Sequence, residues 1–270
     1  MIRLVRAIQH RVRPLMPRMR PSLIIIGAQK AGTTTLFDLL AQHPQAVPPM
    51  SKELDFFGSD EAYAKGSQHY FNMFPRRPLS PRKLFTYEAS PSYLYKPLAA
   101  ERIAQDLPKA FCVAVLRDPV KRAYSAWNMY RDFKDRPRHR HLHDPRSFEQ
   151  AVRDELAGKQ DMTGRRYLAN GCYAPQLRRY VDHVGQDRLM VLPFTALKAN
   201  AHGMVSGIFR RVGVEPLSED HPAFEVRSNA RRYPAPLDPG LAMELRAWFE
   251  PDQRELEALL GRPFDLVEPG

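Results

Sequence analysis

Two glycines, Gly27 and Gly32, follow the aliphatic run LIII and have the spacing of a phosphate-binding loop. A nucleoside-triphosphate loop has the form G-x-x-x-x-G-K-[ST], in which a lysine follows the second glycine. Here Thr33 occupies that position, and Lys30 lies inside the loop GAQKAGTTT. The pattern alone leaves three interpretations: a broken ATP site, a chance pair of glycines, or a loop that binds another phosphate.

The residues around the second glycine favour an anion site. Backbone N–H groups at the start of a helix lack partners within the helix, and the helix dipole attracts negative charge there. Gly32 lets the backbone approach an oxyanion closely, and Lys30 adds a mobile positive charge. Hydroxyl donors come from Thr33, Thr34 and Thr35. An ordinary strand–turn–helix with a solvated lysine is the alternative, and the convergence of these features argues against it.

A second buried-type strand ends in VLRDP and supplies a further cation. A nucleoside triphosphatase would need a magnesium site, with an acidic residue at the end of such a strand. Asp118 could imitate that acid, but Arg117 occupies the strand end. A guanidinium there suits a phosphate dianion bound without a metal. We therefore predict a metal-independent nucleotide loop and assign no metal ligands.

Alternating strands and helices must position these residues. Apolar runs predict strands, and amphipathic segments between them predict helices, which together indicate an α/β fold with a parallel sheet. The predicted strands are residues 22–26, 111–116 and 189–192, and the predicted helices are residues 35–42, 119–130, 204–212, 241–249 and 253–260. Residues 134–145 are predicted to form a charged, histidine-rich loop. We expect one domain over residues 22–270, preceded by a basic extension over residues 1–21.

The basic charge is concentrated in that extension. Six arginines and no acid lie in residues 1–20, and removing them from the net charge of +11 leaves +5, which gives little support to nucleic-acid binding. The arm has no apolar signal-peptide core, and no stretch of the chain has the length of a membrane span. Two interpretations of the arm remain: it contacts an anionic membrane surface, or it is a solvated extension. With only Cys112 and Cys172 present, we expect a cytoplasmic protein, with the arm as a route to peripheral contact at the inner membrane surface.

Five ordered motifs resemble the sulfotransferases that use 3′-phosphoadenosine 5′-phosphosulfate (PAPS), in particular the heparan sulfate branch and its bacterial relatives. IIIGAQKAGTTTL is similar to the family's 5′-phosphosulfate loop, and VAVLRDPVKRAYSAW to its 3′-phosphate motif. SKELDFFG, YEASPSYL and NARRYPAPLDPGLAMELRAWFEPDQRELEALLG are similar to three further family segments. The resemblance covers roughly residues 22–264. It implies a P-loop-type three-layer α/β fold, with a central parallel sheet flanked by helices.

The resemblance also implies roles for individual residues. Lys30 would contact the 5′-phosphate and the bridging oxygen, and Glu53 matches the general base of the heparan branch. Arg117 and Ser125 would hold the 3′-phosphate, over which Arg231 would close. The phosphosulfate would be bound by Lys30, Ala31, Gly32, Thr33, Thr34 and Thr35. PAPS would be the co-substrate and 3′-phosphoadenosine 5′-phosphate (PAP) the product, with no metal required.

The implied acceptor is a hydroxyl of a carbohydrate or glycoconjugate, with an amine as the less favoured alternative. The chain departs from the heparan branch where Ala89 follows Glu88, a position at which that branch commonly has lysine. This departure weakens the case for a heavily sulfated polysaccharide. Asn229 likewise replaces a lysine in the closing loop.

Plainer interpretations compete for several of these residues. Glu53 could simply pair with Lys52, and Glu88 could be a second carboxylate of the cleft or a structural hydrogen-bond acceptor. The alternating histidines of RHRHLHDP could suggest a metal, although a solvated loop facing the acceptor is favoured. Two other functions remain as alternatives: a P-loop small-molecule kinase, and a non-enzymatic polyanion-binding protein that uses the arginine arm.

Overall fold

The computed structural model describes residues 16–159, 161, 163–225, 233 and 235–267. Most of the basic arm, together with Asn229 and Arg231, lies outside the described residues. No helix within the described ranges is long and apolar enough to cross a membrane.

Four parallel strands form one sheet in the order β2-β1-β3-β4. They are β1 (Leu23–Gly27), β2 (Tyr87–Ala89), β3 (Phe111–Leu116) and β4 (Leu189–Pro193). In the register, Leu23 pairs with Tyr87 on one side and with Phe111 on the other, and Cys112 pairs with Leu189. Every residue of β1, β2 and β3 is buried, which explains the continuous apolar runs of β1 and β3. The predicted α/β fold with a parallel sheet is confirmed.

Helices connect and cover the strands. Among the described residues they are α1 (Thr33–Ala41), α2 (Asp60–Tyr63), α3 (Ser67–Asn72), α4 (Ala99–Asp106), α5 (Pro119–Arg131), α6 (Phe148–Leu156), α7 (Tyr173–His183), α8 (Phe194–Ala199), α9 (Ala201–Val212) and α10 (Pro239–Leu260). Right-handed crossovers place α1 on one face of the sheet and α4 and α7 on the other. The packing agrees, because α1 contacts α9 while α7 contacts both α4 and α10.

Two segments differ from the sequence prediction. The two helices predicted on either side of Pro251 form the single helix α10, with Pro251 inside it. A proline in a helix removes one backbone hydrogen bond, but Leu245, Phe249 and Leu256 are buried and keep both halves of α10 packed on the core. The predicted histidine-rich loop contains the short 3-10 helix Pro137–Leu142 and half of another, Asp132–Asp135.

Candidate functional site

The glycine-rich loop joins the end of β1 to the start of α1. The N–H of Ala28 donates to the carbonyl of Val115 at 2.7 Å, which ties the loop to the end of β3. Lys30 has a φ of 71° and Gly32 a φ of 88°, both in the left-handed region. The loop therefore turns sharply at the carboxyl end of the sheet, where ligands of parallel α/β folds bind.

Two features favour glycine at position 32: its left-handed φ angle and the lack of space for a Cβ atom. A Cβ at this position would lie 2.6 Å from Cε2 of Phe194 and 2.8 Å from its Cδ2. Phe194 is the first residue of α8, directly after β4. The loop thus packs against an aromatic ring without an intervening side chain, a contact that no motif of the sequence predicts.

The start of α1 carries the three threonines. Thr33 is buried, Thr34 is exposed and Thr35 is half-buried. Gly32 occupies the N-cap and provides no side-chain hydrogen bond to the first turn. An uncapped helix start with adjacent hydroxyls suits an anionic ligand. The arrangement supports the predicted role of Thr34 and Thr35 more directly than that of buried Thr33.

Arg117 meets the loop from the end of β3. Its Nη1 donates a hydrogen bond to the backbone carbonyl of Lys30 at 3.2 Å. Its guanidinium also lies over the ring of Phe194, 5.1 Å from the ring centroid. The hydroxyl of Tyr173 donates to the Arg117 carbonyl at 2.8 Å, which fixes the backbone at this point. The structure therefore brings the two predicted nucleotide motifs together.

Asp118 caps the helix that follows. Its Oδ1 accepts hydrogen bonds from the N–H groups of Val120 and Lys121, both at 2.9 Å. Its Oδ2 lies 3.6 Å from Nη2 of Arg246. An aspartate at an N-cap satisfies the first turn of its helix. Asp118 thus has a structural role that explains its place in RDP.

Ser125 is held by the C-terminal segment. It is buried on α5, and the hydroxyl of Tyr233 donates to its Oγ at 2.7 Å. The neighbouring Tyr124 hydroxyl donates to the carbonyl of Ala235 at 2.6 Å. The chain on the C-terminal side of Arg231 therefore contacts the predicted 3′-phosphate motif, whereas Arg231 itself lies outside the described residues.

Glu53 lies on the segment that faces the threonines. Its φ is 61°, and its N–H donates to the carbonyl of Ala89 at 3.1 Å. Its Oε1 accepts a hydrogen bond from Nζ of Lys52 at 3.0 Å, and the same Nζ lies 2.6 Å from Oγ1 of Thr34. The pairing of Glu53 with Lys52, which was the plainer interpretation of the sequence, is present, and Lys52 also links Glu53 to the start of α1.

Glu88 is a buried hydrogen-bond acceptor and not an exposed carboxylate of the cleft. Its side chain accepts hydrogen bonds from the hydroxyls of Tyr70 at 2.5 Å, Tyr93 at 2.6 Å and Ser90 at 2.7 Å. Burial raises the pKa of Glu88, although the three hydroxyl donors oppose that shift. Ser90 Oγ in turn accepts from the N–H of Asp55 at 3.0 Å. Glu88 thus supports the segment that carries Glu53.

The histidine-rich segment shows no metal-binding arrangement. Within the described ranges, no group of three or more His, Cys, Asp or Glu side chains could hold a metal ion. His139 and His141 are exposed, and the ring of His139 lies 5.0 Å from that of Phe133. Phe133 also packs against Tyr130, at 5.6 Å between ring centroids. These contacts anchor the segment to the end of α5.

Sequence reasoning missed two contributors to the site, Phe194 and Tyr233. Each acts through a long-range contact, to Gly32 and to Ser125 respectively. No local motif marks such residues. The position of Phe194 directly after a predicted buried strand was the one available signal, because loops at that end of a parallel sheet surround the ligand.

The donor set fits a phosphate or sulfate ester. Lys30 belongs to the loop, the Arg117 guanidinium donates to the Lys30 carbonyl, and Thr34 and Thr35 lie in the first turn of α1. Guanidinium and ammonium groups are the side chains that bind phosphate most strongly, and they need no metal for it. The site is therefore suited to an anionic ligand at the carboxyl edge of the sheet.

Comparisons with known proteins agree with this chemistry. Residues 20–223 match the model of the sulfotransferase domain. A bifunctional heparan sulfate N-deacetylase/N-sulfotransferase 4 from Mus musculus is 26% identical over 269 residues, covering 90% of this chain and 30% of the relative. The N-deacetylase/N-sulfotransferase 1 of Xenopus laevis is 29% identical over 208 residues, covering 74% of this chain and 23% of the relative. The chain thus spans about a third or less of the length of these relatives.

Solved structures give the same result. A sulfotransferase from Alicyclobacillus acidocaldarius superposes with a TM-score of 0.69 at 29% identity, covering 91% of this chain and 97% of that one. Mouse sulfotransferase SULT7A1, complexed with PAP, superposes with a TM-score of 0.54 at 12% identity, covering 93% and 89%, and it supports the fold alone. Because the domain model matches most of the chain and the fold agrees, the chain belongs to the sulfotransferase family.

Proposed function

We propose that this protein transfers a sulfuryl group from PAPS to a carbohydrate acceptor. The observation that carries the proposal is the hydrogen bond from Arg117 to the Lys30 carbonyl, since it joins the two predicted nucleotide motifs at one edge of the sheet. PAPS carries phosphate groups at both its 5′ and 3′ positions. Binding both groups calls for two basic motifs that lie close together, such as the loop with Lys30 and the strand end with Arg117. Family membership supports the same donor.

The charges of the site suggest how the reaction is assisted. PAPS supplies an activated sulfuryl group joined to a 5′-phosphate. Lys30 and the start of α1 stabilise the negative charge that develops on the bridging oxygen, and this stabilisation is greater in the transition state than in the ground state. Arg117 and Ser125 bind the 3′-phosphate. Glu53 accepts the proton that the acceptor loses on attack.

The acceptor group is either a hydroxyl or an amine. The sequence resemblance favours a carbohydrate hydroxyl, whereas the names of the relatives above, N-sulfotransferases of heparan sulfate, favour an amine. Both groups lose a proton during attack, so the carboxylate of Glu53 serves either chemistry. The alternative of a P-loop kinase receives no support from the family, and the polyanion-binding alternative depends largely on the arm outside the described residues.

A transfer assay tests the proposal. The full chain is incubated with PAPS carrying radioactive sulfur and with one of two acceptors. The first acceptor is N-desulfated heparan sulfate, which has free amines, and the second is its N-acetylated derivative, which has only hydroxyls. Label in the N-acetylated derivative supports a hydroxyl acceptor, and label only in the N-desulfated polymer supports an amine. Absence of label from both, in a chain that binds PAP, would rule out this class of polysaccharide as the acceptor.

A further inference from the structure

One lysine bridges the donor loop and the proposed base. Nζ of Lys52 lies 2.6 Å from Oγ1 of Thr34 and 3.0 Å from Oε1 of Glu53. Thr34 belongs to the first turn of α1, whereas Glu53 lies on the segment bound to the end of β2. The ammonium group is therefore in direct contact with both halves of the proposed site.

The position of this ammonium group differs from that of an ordinary surface ion pair. The Lys52 side chain is 22% exposed, although its partner Glu53 is 58% exposed. The pair formed by Lys65 and Glu61, in comparison, has exposed fractions of 50% and 88%, and it joins two residues one helical turn apart. Exposed pairs of that kind contribute little to stability. Lys52 instead fixes the relative positions of two separate segments.

The path of the transferred group passes this lysine. In an in-line transfer, sulfur lies between the leaving oxygen, held by the loop and α1, and the acceptor atom, which must be near Glu53. A cation in contact with both Thr34 and Glu53 borders that path. An ammonium group has three N–H donors, and the hydrogen bonds to Thr34 and Glu53 account for two of them. The third can donate to a sulfuryl oxygen.

We propose that Lys52 is a further catalytic residue, which contacts the sulfuryl oxygens during transfer and orients the Glu53 carboxylate. This inference rests on the proposed function. In the step, the bond from sulfur to the bridging oxygen breaks, and its electron pair leaves with the 5′-phosphate. The acceptor atom forms a new bond to sulfur, and its proton moves to Glu53. Lys52 keeps all its protons and stabilises the charge on the sulfuryl oxygens.

The test compares three variants of the full chain in the same transfer assay. Lys52→Met removes the charge while retaining an unbranched side chain, Lys52→Arg retains the charge, and Lys65→Met is the matched control at a paired lysine. Turnover is measured with the heparan sulfate derivative that accepts label from the wild-type chain. Affinity for PAP, which has no sulfuryl group, is measured by calorimetry, and folding by thermal melting.

We expect Lys52→Met to lower kcat by about 100-fold and to leave the Kd for PAP within about threefold of wild type. The kcat of Lys52→Arg should be at least about tenfold higher than that of Lys52→Met, and the kcat of Lys65→Met should match wild type. The inference is overturned if Lys52→Met keeps wild-type turnover, or if its loss of turnover is matched by an equal loss of PAP affinity. If the wild-type chain and Lys52→Met transfer label equally well, the role of Lys52 is refuted and the proposed function still stands. A wild-type chain that neither transfers label nor binds PAP refutes the proposed function and this inference with it.

Discussion

Nη1 of Arg117 donates a hydrogen bond to the backbone carbonyl of Lys30 across 3.2 Å, although the two residues are 87 positions apart in the chain. The contact exists because β1 and β3 are parallel neighbours and end at the same edge of the sheet. It places the cation of the RDP motif beside the loop that carries Lys30. A ligand with two phosphate groups can therefore be bound by elements that are already held together.

Loss of the Arg117 guanidinium should weaken binding of the 3′-phosphate. We expect Arg117→Ala to raise the Kd for PAP by about 10–100-fold, because charge-assisted hydrogen bonds to phosphate are among the strongest. The Kd for adenosine 5′-phosphosulfate, which lacks the 3′-phosphate, should change by less than about threefold. Calorimetric titration of both ligands measures the difference, with Arg153→Ala as an exposed control. Equal weakening for both ligands would contradict the assignment.

A side chain at Gly32 should disturb the loop through two separate effects. Gly32→Ala places a side chain on a backbone with a left-handed φ, which costs about 1 kcal/mol. It also forces the new Cβ against the Phe194 ring. Gly261 has the same left-handed conformation, with a φ of 65° and a ψ of 22°, and a Cβ added there would meet nothing within 4 Å, so Gly261→Ala isolates the first effect. We expect Gly32→Ala to be less stable than Gly261→Ala by about 1–3 kcal/mol in urea unfolding. Equal losses would show that the contact with Phe194 is readily relieved.

The proposed base should affect turnover and not nucleotide binding. Glu53→Gln removes the proton acceptor and keeps the size of the side chain, so we expect kcat to fall by about 10²–10⁴-fold. Because we propose that Glu53 acts on the acceptor and not on the nucleotide, the Kd for PAP should stay within about threefold of wild type. Glu61→Gln, at an exposed glutamate on α2, is the control. Wild-type turnover in Glu53→Gln would remove Glu53 from the mechanism.

Asp252 should make stability depend on pH. Burial raises its pKa to about 6, although the N–H groups of Tyr173 and Ala174 donate to its carboxylate and oppose this shift. The folded chain therefore binds this proton more tightly than the unfolded chain, whose aspartates titrate near ~3.9. The contribution to stability is greatest below that value, falls as the pH rises through the window up to about 6, and is constant above it.

Because Asp252 is partly exposed to solvent, we expect this change to be about 1–2 kcal/mol. The measurement is the free energy of urea unfolding of wild type relative to Asp252→Asn between pH ~4.5 and ~7, since only the wild type can titrate at this position. Asp182→Asn, at an exposed position on α7, serves as the control. A wild-type advantage that does not decline across this interval would contradict the prediction.

The sequence was sufficient to predict three of the four strands of the sheet. The runs at β1, β3 and β4 are continuous and apolar, and each is followed by residues that can bind an anion or start a helix. The short strand β2 was missed because it contains Glu88, a charged residue that a buried strand rarely carries. Its burial depends on the hydroxyls of Tyr70, Ser90 and Tyr93, and no local pattern reveals that Tyr70 would meet it.

In the candidate site, too, local sequence patterns predict some residues and cannot predict contacts between distant ones. Lys30, the threonines and Arg117 could be predicted because each sits at a fixed offset from a strand end. The contacts of Phe194 with Gly32 and of Tyr233 with Ser125 join distant parts of the chain. Such contacts depend on how the elements pack and not on local spacing. The predicted roles of Glu53, Ser125 and the other site residues stay predictions until they are measured.

The most direct test of the central claim is nucleotide binding with and without magnesium. In calorimetric titrations of the full chain, we expect PAP to bind in the presence of EDTA with a Kd that magnesium does not improve. ATP with magnesium should bind much more weakly, because the loop has Thr33 where a nucleoside-triphosphate site has its lysine. Tighter binding of ATP with magnesium than of PAP in EDTA would contradict the account of this loop as a site for a phosphosulfate donor.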